Sequence, residues 1–269
     1  MTSGISPFWL CRFDSRFSYC SYVPSSAEGR GDLPLVVAVH GSYRVAEGYR
    51  DAFAALAEQL GAVVLAPLFP CGVEGPEDTE SYKFCVTSDT RFDHVLLAMI
   101  DELNERLDGR VATGRFALFG YSGGGQFVHR FAYLHAHRLA ALSIGAPGKV
   151  TLMDETLPWW KGLRGLAELA GQPLRLDALR ALPVQMVIGD LDDKEDDVAT
   201  AVGSPHWMDG INDAGRNRTT LMESLRRSLA ADGVSARLDV VEGVAHDGFA
   251  VLAPVQAFLA DVLVKEARR

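Results

Sequence analysis

The sequence has no apolar stretch of transmembrane length and no local cluster of lysine and arginine. A membrane-spanning helix needs about 20 mostly apolar residues, so we expect no membrane partner. The formal net charge is −9 at pH 7, and an acidic chain without a basic patch is not expected to bind nucleic acid. The N-terminal stretch MTSGISPFWLCRFDSRF lacks a cationic region followed by an apolar one. We therefore expect no secretory signal and a cytoplasmic location.

Cysteine is also scarce, with four residues at Cys11, Cys20, Cys71 and Cys85. None of them has the CxxC or cysteine–histidine spacing of a zinc site. Reduced thiols are the expected state in a cytoplasmic chain. Two disulfide pairings stay open, namely Cys11 with Cys20 across a predicted hairpin and Cys71 with Cys85 at the two ends of one loop.

No internal repeat or linker divides the chain, so we expect a single domain over residues 1–269. The hydrophobic pattern predicts two antiparallel strands at about 8–13 and 17–23, after which buried strands and amphipathic helices alternate. The predicted strands are 33–41, 62–70, 115–121, 140–147, 182–190 and 236–243, and the predicted helices are 49–61, 89–108, 123–137, 218–233 and 249–267. Such alternation is typical of a mostly parallel sheet whose strands end at one common edge.

One glycine-rich stretch carries a sequence motif at the point where a predicted strand meets a predicted helix. Gly120-Tyr121-Ser122-Gly123-Gly124 has the pattern G-x-S-x-G and joins a predicted strand to a predicted helix. A sharp strand-to-helix turn of this kind lifts a serine hydroxyl above the sheet edge and needs neighbours without side chains. Ser122 is therefore the candidate nucleophile.

A serine hydroxyl needs a base, and the base needs an acid that orients it. His246 follows the last predicted strand and is the candidate base. Three aspartates follow the strand before it, Asp190, Asp192 and Asp193. We favour Asp192, because the acid of such sites lies a few residues beyond the glycine that ends the strand, although the other two stay open.

The acidic run at 190–197 has a second interpretation. Clustered carboxylates suit hard cations such as Ca²⁺. The run lacks the glycine and the distal glutamate of an EF-hand loop. We therefore expect no metal, and we expect Glu195, Asp196 and Asp197 to form a solvated loop.

Acyl transfer also needs hydrogen-bond donors for the carbonyl oxygen, which becomes negatively charged. The main-chain N–H of Gly123, directly after Ser122, is one candidate. The second is expected in the stretch VAVHGSYR, where Ser42 is favoured and Tyr43 is the alternative. Gly41 would let this backbone approach the site closely.

These motifs, together with the HG turn and the order Ser122, Asp192, His246 along the chain, resemble those of the α/β-hydrolases. The resemblance covers nearly the whole chain. It implies an α/β-hydrolase fold with a mostly parallel eight-stranded sheet, an antiparallel N-terminal strand and helices on both faces. It also implies Ser122 as nucleophile, His246 as base, Asp192 as orienting acid, Ser42 and Gly123 as oxyanion donors, and no metal or organic cofactor.

Within that family the chain is most similar to small esterases and depolymerases with little or no lid. The interval at about 148–182 has room for one or two short helices, so we expect only a small cap-like excursion. A long loop is expected at about 194–217, folding over the same edge of the sheet.

The resemblance implies a carboxylesterase-like serine hydrolase of the class EC 3.1.1 that cleaves a small ester through an acyl-enzyme intermediate. Amide, lactone and carbon–carbon bonds are alternative targets of the same machinery. A small-ligand receptor with little or no catalysis is a second alternative on the same scaffold. The sequence is compatible with a homodimer.

Overall fold

The structure, a computed structural model, describes residues 3–195 and 198–268. Asp196 and Asp197 of the expected solvated loop lie outside the described residues. Among the described residues, nine strands form one sheet: β1 (Gly4–Ile5), β2 (Trp9–Leu10), β3 (Ser18–Val23), β4 (Leu35–Val39), β5 (Val63–Leu68), β6 (Phe116–Tyr121), β7 (Leu139–Gly145), β8 (Val184–Gly189) and β9 (Ala236–Val241). Their order is β1-β3-β5-β4-β6-β7-β8-β9, and β2 pairs with β3.

The strands β5, β4, β6, β7, β8 and β9, in their order across the sheet, are parallel to one another, and β3 runs antiparallel to β5. This confirms the prediction of a mostly parallel sheet with an antiparallel N-terminal part. The predicted strand at 8–13 is shorter than expected. Only Trp9–Leu10 pairs with β3, and one more hydrogen bond, from the N–H of Cys11 to the carbonyl of Phe17, precedes the turn at residues 12–16.

Helices surround the sheet: α1 (Ala46–Ala52), α2 (Ala54–Leu60), α3 (Phe92–Arg106), α4 (Gly123–His135), α5 (Leu166–Ala170), α6 (Leu176–Arg180), α7 (Arg218–Ala231) and α8 (Leu252–Glu266). The helix predicted at 49–61 is divided at Phe53 and ends at Gly61, whose φ of 67° is a left-handed cap. Pro254 lies in the first turn of α8, where its missing N–H is tolerated. In the part of the chain that the structure covers, no helix combines the length and the apolar character needed to cross a bilayer.

The excursion at 148–182 contains the two short helices α5 and α6. Its second half does not lie over the edge that carries Ser122. The N–H of Arg175 donates to the carbonyl of Tyr133 near the far end of α4, so α6 packs beside the end of α4 that is distant from Ser122. The four cysteines are all free, and three of them are buried. Neither of the open disulfide pairings is present.

Candidate active site

Ser122 lies in a strained turn between β6 and α4. Its φ of 57° and ψ of −114° are unusual for a residue with a side chain. Its N–H donates to the carbonyl of Gly145 on the neighbouring strand at 2.8 Å. A Cβ on Gly120 would collide with the carbonyl of Gly124, and a Cβ on Gly124 would collide with that of Val39. The two glycines allow this close approach of backbones, and the turn holds the serine hydroxyl at the sheet edge.

The structure brings Ser122, His246 and Asp192 together. Oγ of Ser122 lies 2.9 Å from Nε2 of His246, and Nδ1 of His246 lies 2.6 Å from Oδ2 of Asp192. A carboxylate only accepts hydrogen bonds, so Nδ1 carries the proton. Nε2 is then an acceptor for the hydroxyl proton of Ser122. The three side chains form one continuous chain of hydrogen bonds.

Of the three candidate aspartates, the structure places Asp192 against His246. Its side chain is 2% exposed, and its second oxygen accepts a hydrogen bond from Nη1 of Arg218 at 3.3 Å. Asp190 and Asp193 are exposed. The N–H of Asp190 continues the ladder of β8 with β9 through the carbonyl of Val241. Asp192 is the first residue beyond this ladder that turns inward.

The two candidate oxyanion donors flank Ser122. Gly123 is the first residue of α4, where main-chain N–H groups have no partner within the helix. A Cβ on Gly41 would lie 3.4 Å from Cβ of Ser122, so the turn that carries Ser42 also approaches the nucleophile closely. Ser42 lines the same cavity as Ser122. Tyr43, the alternative donor, is 93% exposed.

His40 fixes the turn before Ser42. Its ring is buried, with Nδ1 2.8 Å from the carbonyl of Gly41, while Nε2 accepts the N–H of Phe69 at 3.0 Å. Burial lowers the pKa of His40 to about 4, so the ring is neutral near pH 7. A neutral ring with one donor and one acceptor matches both contacts. His40 thus shapes the loop that follows β4.

A cavity of about 1070 Å³ opens beside Ser122. Its walls come from the loop at 74–88, from 148–160 and from 204–206. Trp159 and Trp160 line it. Other aromatic side chains lie elsewhere: Phe69 is in the core, Tyr121 is buried beside His246, and Tyr43 and Trp207 are exposed.

Sequence reasoning missed a group of charged side chains in and behind this wall. Glu80 contacts Nζ of Lys83 and also Nζ of Lys149. Burial disfavours the charge of Glu80, but the two lysines outweigh it and hold the pKa of Glu80 below its usual value. Burial lowers the pKa of Lys83, against the opposing effect of Glu80. These residues lie on loops without hydrophobic periodicity, so no sequence signal marked them.

Arg130 lies directly behind the same wall and is fully buried. It donates to Oγ1 of Thr151 and to the carbonyl of Lys83, and its guanidinium faces the rings of Phe84 and Trp160. Burial lowers the pKa of Arg130 to about 9, which leaves it charged near pH 7. Within residues 3–195 and 198–268, no cluster of three or more histidine, cysteine, aspartate or glutamate side chains could hold a metal ion.

The sequence matches no protein-family model and no curated protein. Solved structures do match. Poly(aspartic acid) hydrolase-1 from Sphingomonas sp. KT-1 has 20% identity and a TM-score of 0.74, over 96% of this chain and 99% of that one. The poly(3-hydroxybutyrate) depolymerase from Bordetella parapertussis has 24% identity and a TM-score of 0.71, over 98% and 91%. A fluorophosphonate-binding serine hydrolase from Staphylococcus aureus has 11% identity and a TM-score of 0.63, over 97% and 98%. The topology of the sheet and these similarities together show that this chain has the α/β-hydrolase fold.

Proposed function

We propose that this protein is a serine hydrolase that cleaves a carboxylic ester through an acyl-enzyme intermediate. The observation that carries the proposal is the hydrogen-bonded path from Oγ of Ser122 through His246 to the buried carboxylate of Asp192. This arrangement of hydroxyl, imidazole and carboxylate is recognised by its geometry rather than by residue numbers.

In the first half of the reaction, Oγ of Ser122 forms a bond to the ester carbonyl carbon while Nε2 of His246 accepts the hydroxyl proton. The N–H groups of Gly123 and Ser42 stabilise the negative charge on the carbonyl oxygen. The bond from carbon to the alcohol oxygen then breaks, and His246 donates its proton to the departing alkoxide. Asp192 stabilises the imidazolium and holds the ring in its orientation.

In the second half, a water molecule gives a proton to His246 and attacks the acyl-enzyme. Breakdown of the second tetrahedral intermediate returns the proton to Ser122 and releases the carboxylic acid. An ester is the proposed bond because an alkoxide leaves more readily than an amide nitrogen. The named substrates of the structural neighbours include both a poly(amino acid) and a polyester, so the fold alone does not select the bond.

The test combines covalent labelling with turnover. A fluorophosphonate probe should modify Ser122, located by mass spectrometry of the digested protein, and the unlabelled protein should hydrolyse several p-nitrophenyl esters over many turnovers. Ser122→Ala should lose both properties. Ser235→Ala, which removes an exposed hydroxyl elsewhere, is the matched control and should keep both. Persistent turnover in Ser122→Ala, or labelling confined to another residue, would overturn the proposal.

A further inference from the structure

Two lysines share one glutamate in the wall of the cavity beside Ser122. The side chains of Lys83 and Lys149 are 6% and 19% exposed, and both line the cavity. Each ammonium group has three donors. Glu80 occupies one donor of each lysine, so both lysines keep donors for a ligand.

Lys83 lies very near the reacting centre. Its Cε is 3.0 Å from the position that a Cβ on Gly123 would occupy. The ammonium group is one bond farther along the side chain. A cation is therefore held within a few ångströms of the residue that follows Ser122.

Positive charge is concentrated in one part of this wall, although the chain as a whole is acidic. Lys83, Lys149 and the buried Arg130 bring three positive charges there, and Glu80 is the carboxylate that contacts both lysines. The contacts described above for Arg130 are to neutral groups, with no carboxylate among them. Glu74 and Glu77 also line the cavity but are exposed to solvent, which screens their charges.

Asp78, another acid that lines the cavity, is hydrogen-bonded within its own loop. Asp78 accepts hydrogen bonds from Ser81 and from the N–H of Glu80. These bonds tie its carboxylate to its own loop. Asp78 therefore does not pair with the two lysines.

A second observation is an unpartnered polar atom on a side chain that lines the cavity. Gln126 lies one helical turn after Ser122, lines the cavity and is 5% exposed. Its Oε1 is buried and has no hydrogen-bond partner among the described residues. Buried polar atoms in folded proteins are normally satisfied. Because this oxygen is an acceptor, a water molecule held by a ligand, or a ligand group that donates a hydrogen bond, would satisfy it.

The chemistry decides which part of an ester enters the cavity. His246 must donate a proton to the leaving alcohol, so the alcohol lies on the side of Nε2 of His246. His246 is not among the residues that line the cavity, whereas Ser122 is. In this arrangement the acyl part would lie on the side of the cavity and face the two lysines.

We propose that this cavity selects esters whose acyl part carries a carboxylate, and that Lys83 and Lys149 are the residues that determine this specificity. The substrate class is the monoester of a dicarboxylic acid, or an oligomer with acidic acyl units. The proposal rests on the serine hydrolase function proposed above. Hydrolysis releases the alcohol and the free dicarboxylic acid.

The experiment compares two esters that differ in one charge, p-nitrophenyl hydrogen adipate and p-nitrophenyl methyl adipate, after subtraction of their spontaneous hydrolysis. The wild-type kcat/KM should be at least about 10-fold higher for the acid form, the effect of one hydrogen bond to a charged group. The second pair places the charge on the alcohol, 4-acetoxybenzoate and its methyl ester. This pair should show no preference for the charged form.

Variants then assign the preference to residues. Lys149→Met should lower the acid-to-neutral ratio by about 10-fold, and Lys149→Arg should retain it because a cation remains. Lys83→Met should lower the ratio at least as much. Lys265→Met, which removes an exposed positive charge at the end of α8, is the matched control and should leave the ratio unchanged. If Lys83→Met does not fold, the Lys149 pair decides.

The outcomes separate the two proposals. Ser122-dependent turnover of the neutral ester without any preference for the acid form would overturn the specificity and leave the hydrolase standing. A preference that survives Lys149→Met and Lys83→Met would overturn the assignment of these lysines. A preference that appears only in the 4-acetoxybenzoate pair would overturn the acyl side. If neither ester is hydrolysed and Ser122 is not labelled, both proposals fail together.

Discussion

An aspartate–histidine pair lies near each end of helix α4, but the surroundings of the two pairs differ. At its N-terminal end, the buried Asp192 lies 2.6 Å from His246 and accepts a hydrogen bond from Arg218. At its C-terminal end, the buried Asp93 lies 2.8 Å from His135, the last residue of the helix. Arg91 donates to both oxygens of Asp93.

The two histidines differ in their exposure and in the groups that contact their ring nitrogens. His246 is 28% exposed on its side chain and presents its second nitrogen to the hydroxyl of Ser122. The side chain of His135 is 6% exposed, its Nε2 donates to Asp93, and the amide nitrogen of Gln172 lies 3.3 Å from the same ring nitrogen. An aspartate–histidine pair is therefore not a catalytic signature by itself. A hydroxyl on the free nitrogen and a cavity beside it are what distinguish the candidate site.

The largest expected effect comes from Asp192→Asn. It should lower kcat/KM for a p-nitrophenyl ester by about 10⁴-fold, because the amide no longer holds the ring of His246 in the tautomer that accepts the serine proton. Asp93→Asn, the same change at the other end of α4, should keep kcat/KM within about three-fold. A silent Asp192→Asn beside an inactive Asp190→Asn or Asp193→Asn would show that another aspartate is the acid.

A smaller loss of rate is expected from His40→Ala, which removes the ring that holds the Gly41–Ser42 turn. Displacement of a positioned group by about 1 Å can cost about 100-fold in rate, and we expect a loss of up to that size in kcat. His40→Gln can donate and accept like the neutral ring and should recover part of it. Equal kcat for His40→Ala and the wild type would show that the turn does not need this ring.

At the C-terminal end, Asp93→Asn should affect stability rather than rate. Burial raises the pKa of Asp93, but hydrogen bonds from His135 and Arg91 outweigh it and hold the pKa at about 2, below the ordinary 3.8. The charged form is thus favoured in the folded state. The charged form contributes about 2 kcal/mol to the free energy of unfolding. This contribution is fully present above about pH 4 and is lost as the pH falls through about 2.

Urea denaturation should therefore show a free energy of unfolding about 2 kcal/mol lower for Asp93→Asn at pH 7. The gap between variant and wild type should narrow as the pH falls from 4 towards 2. A gap that stays constant over this range would contradict the assigned role of the carboxylate.

The smallest expected effect is that of Gln172→Ala, which removes the second neighbour of His135. Nε2 of His135 already donates to Asp93, so the amide of Gln172 makes only a weak polar contact with it, and the free energy of unfolding should fall by no more than about 0.5 kcal/mol. Ester hydrolysis should be unchanged. A large loss of activity would show that the C-terminal end of α4 also affects catalysis, which would contradict the difference described above.

Sequence patterns predicted the sheet and the residues that the structure gathers at its edge. Ser122 could be found because the turn between β6 and α4 needs glycines, and His246 because it follows the last strand. Asp192 could be favoured because of its distance from the end of β8. These features depend on local backbone geometry, which short stretches of sequence encode.

The cavity wall and the far end of α4 could not be predicted in the same way. Lys83, Lys149 and Glu80 meet only when two separate loops fold towards each other. Asp93 and His135 lie on different helices, where charged residues usually face water. Their pairing follows from helix packing over a long sequence separation, which no periodicity records.

Arg130 has a consequence for how a substrate would be received. It projects from α4, the helix that begins directly after Ser122, and it ties that helix to the carbonyl of Lys83 and, through Thr151, to that of Trp160. The cavity wall and the residue that carries the attacking oxygen are thus attached to the same helix. A substrate would therefore meet a wall whose hydrogen bonds are already formed before it binds.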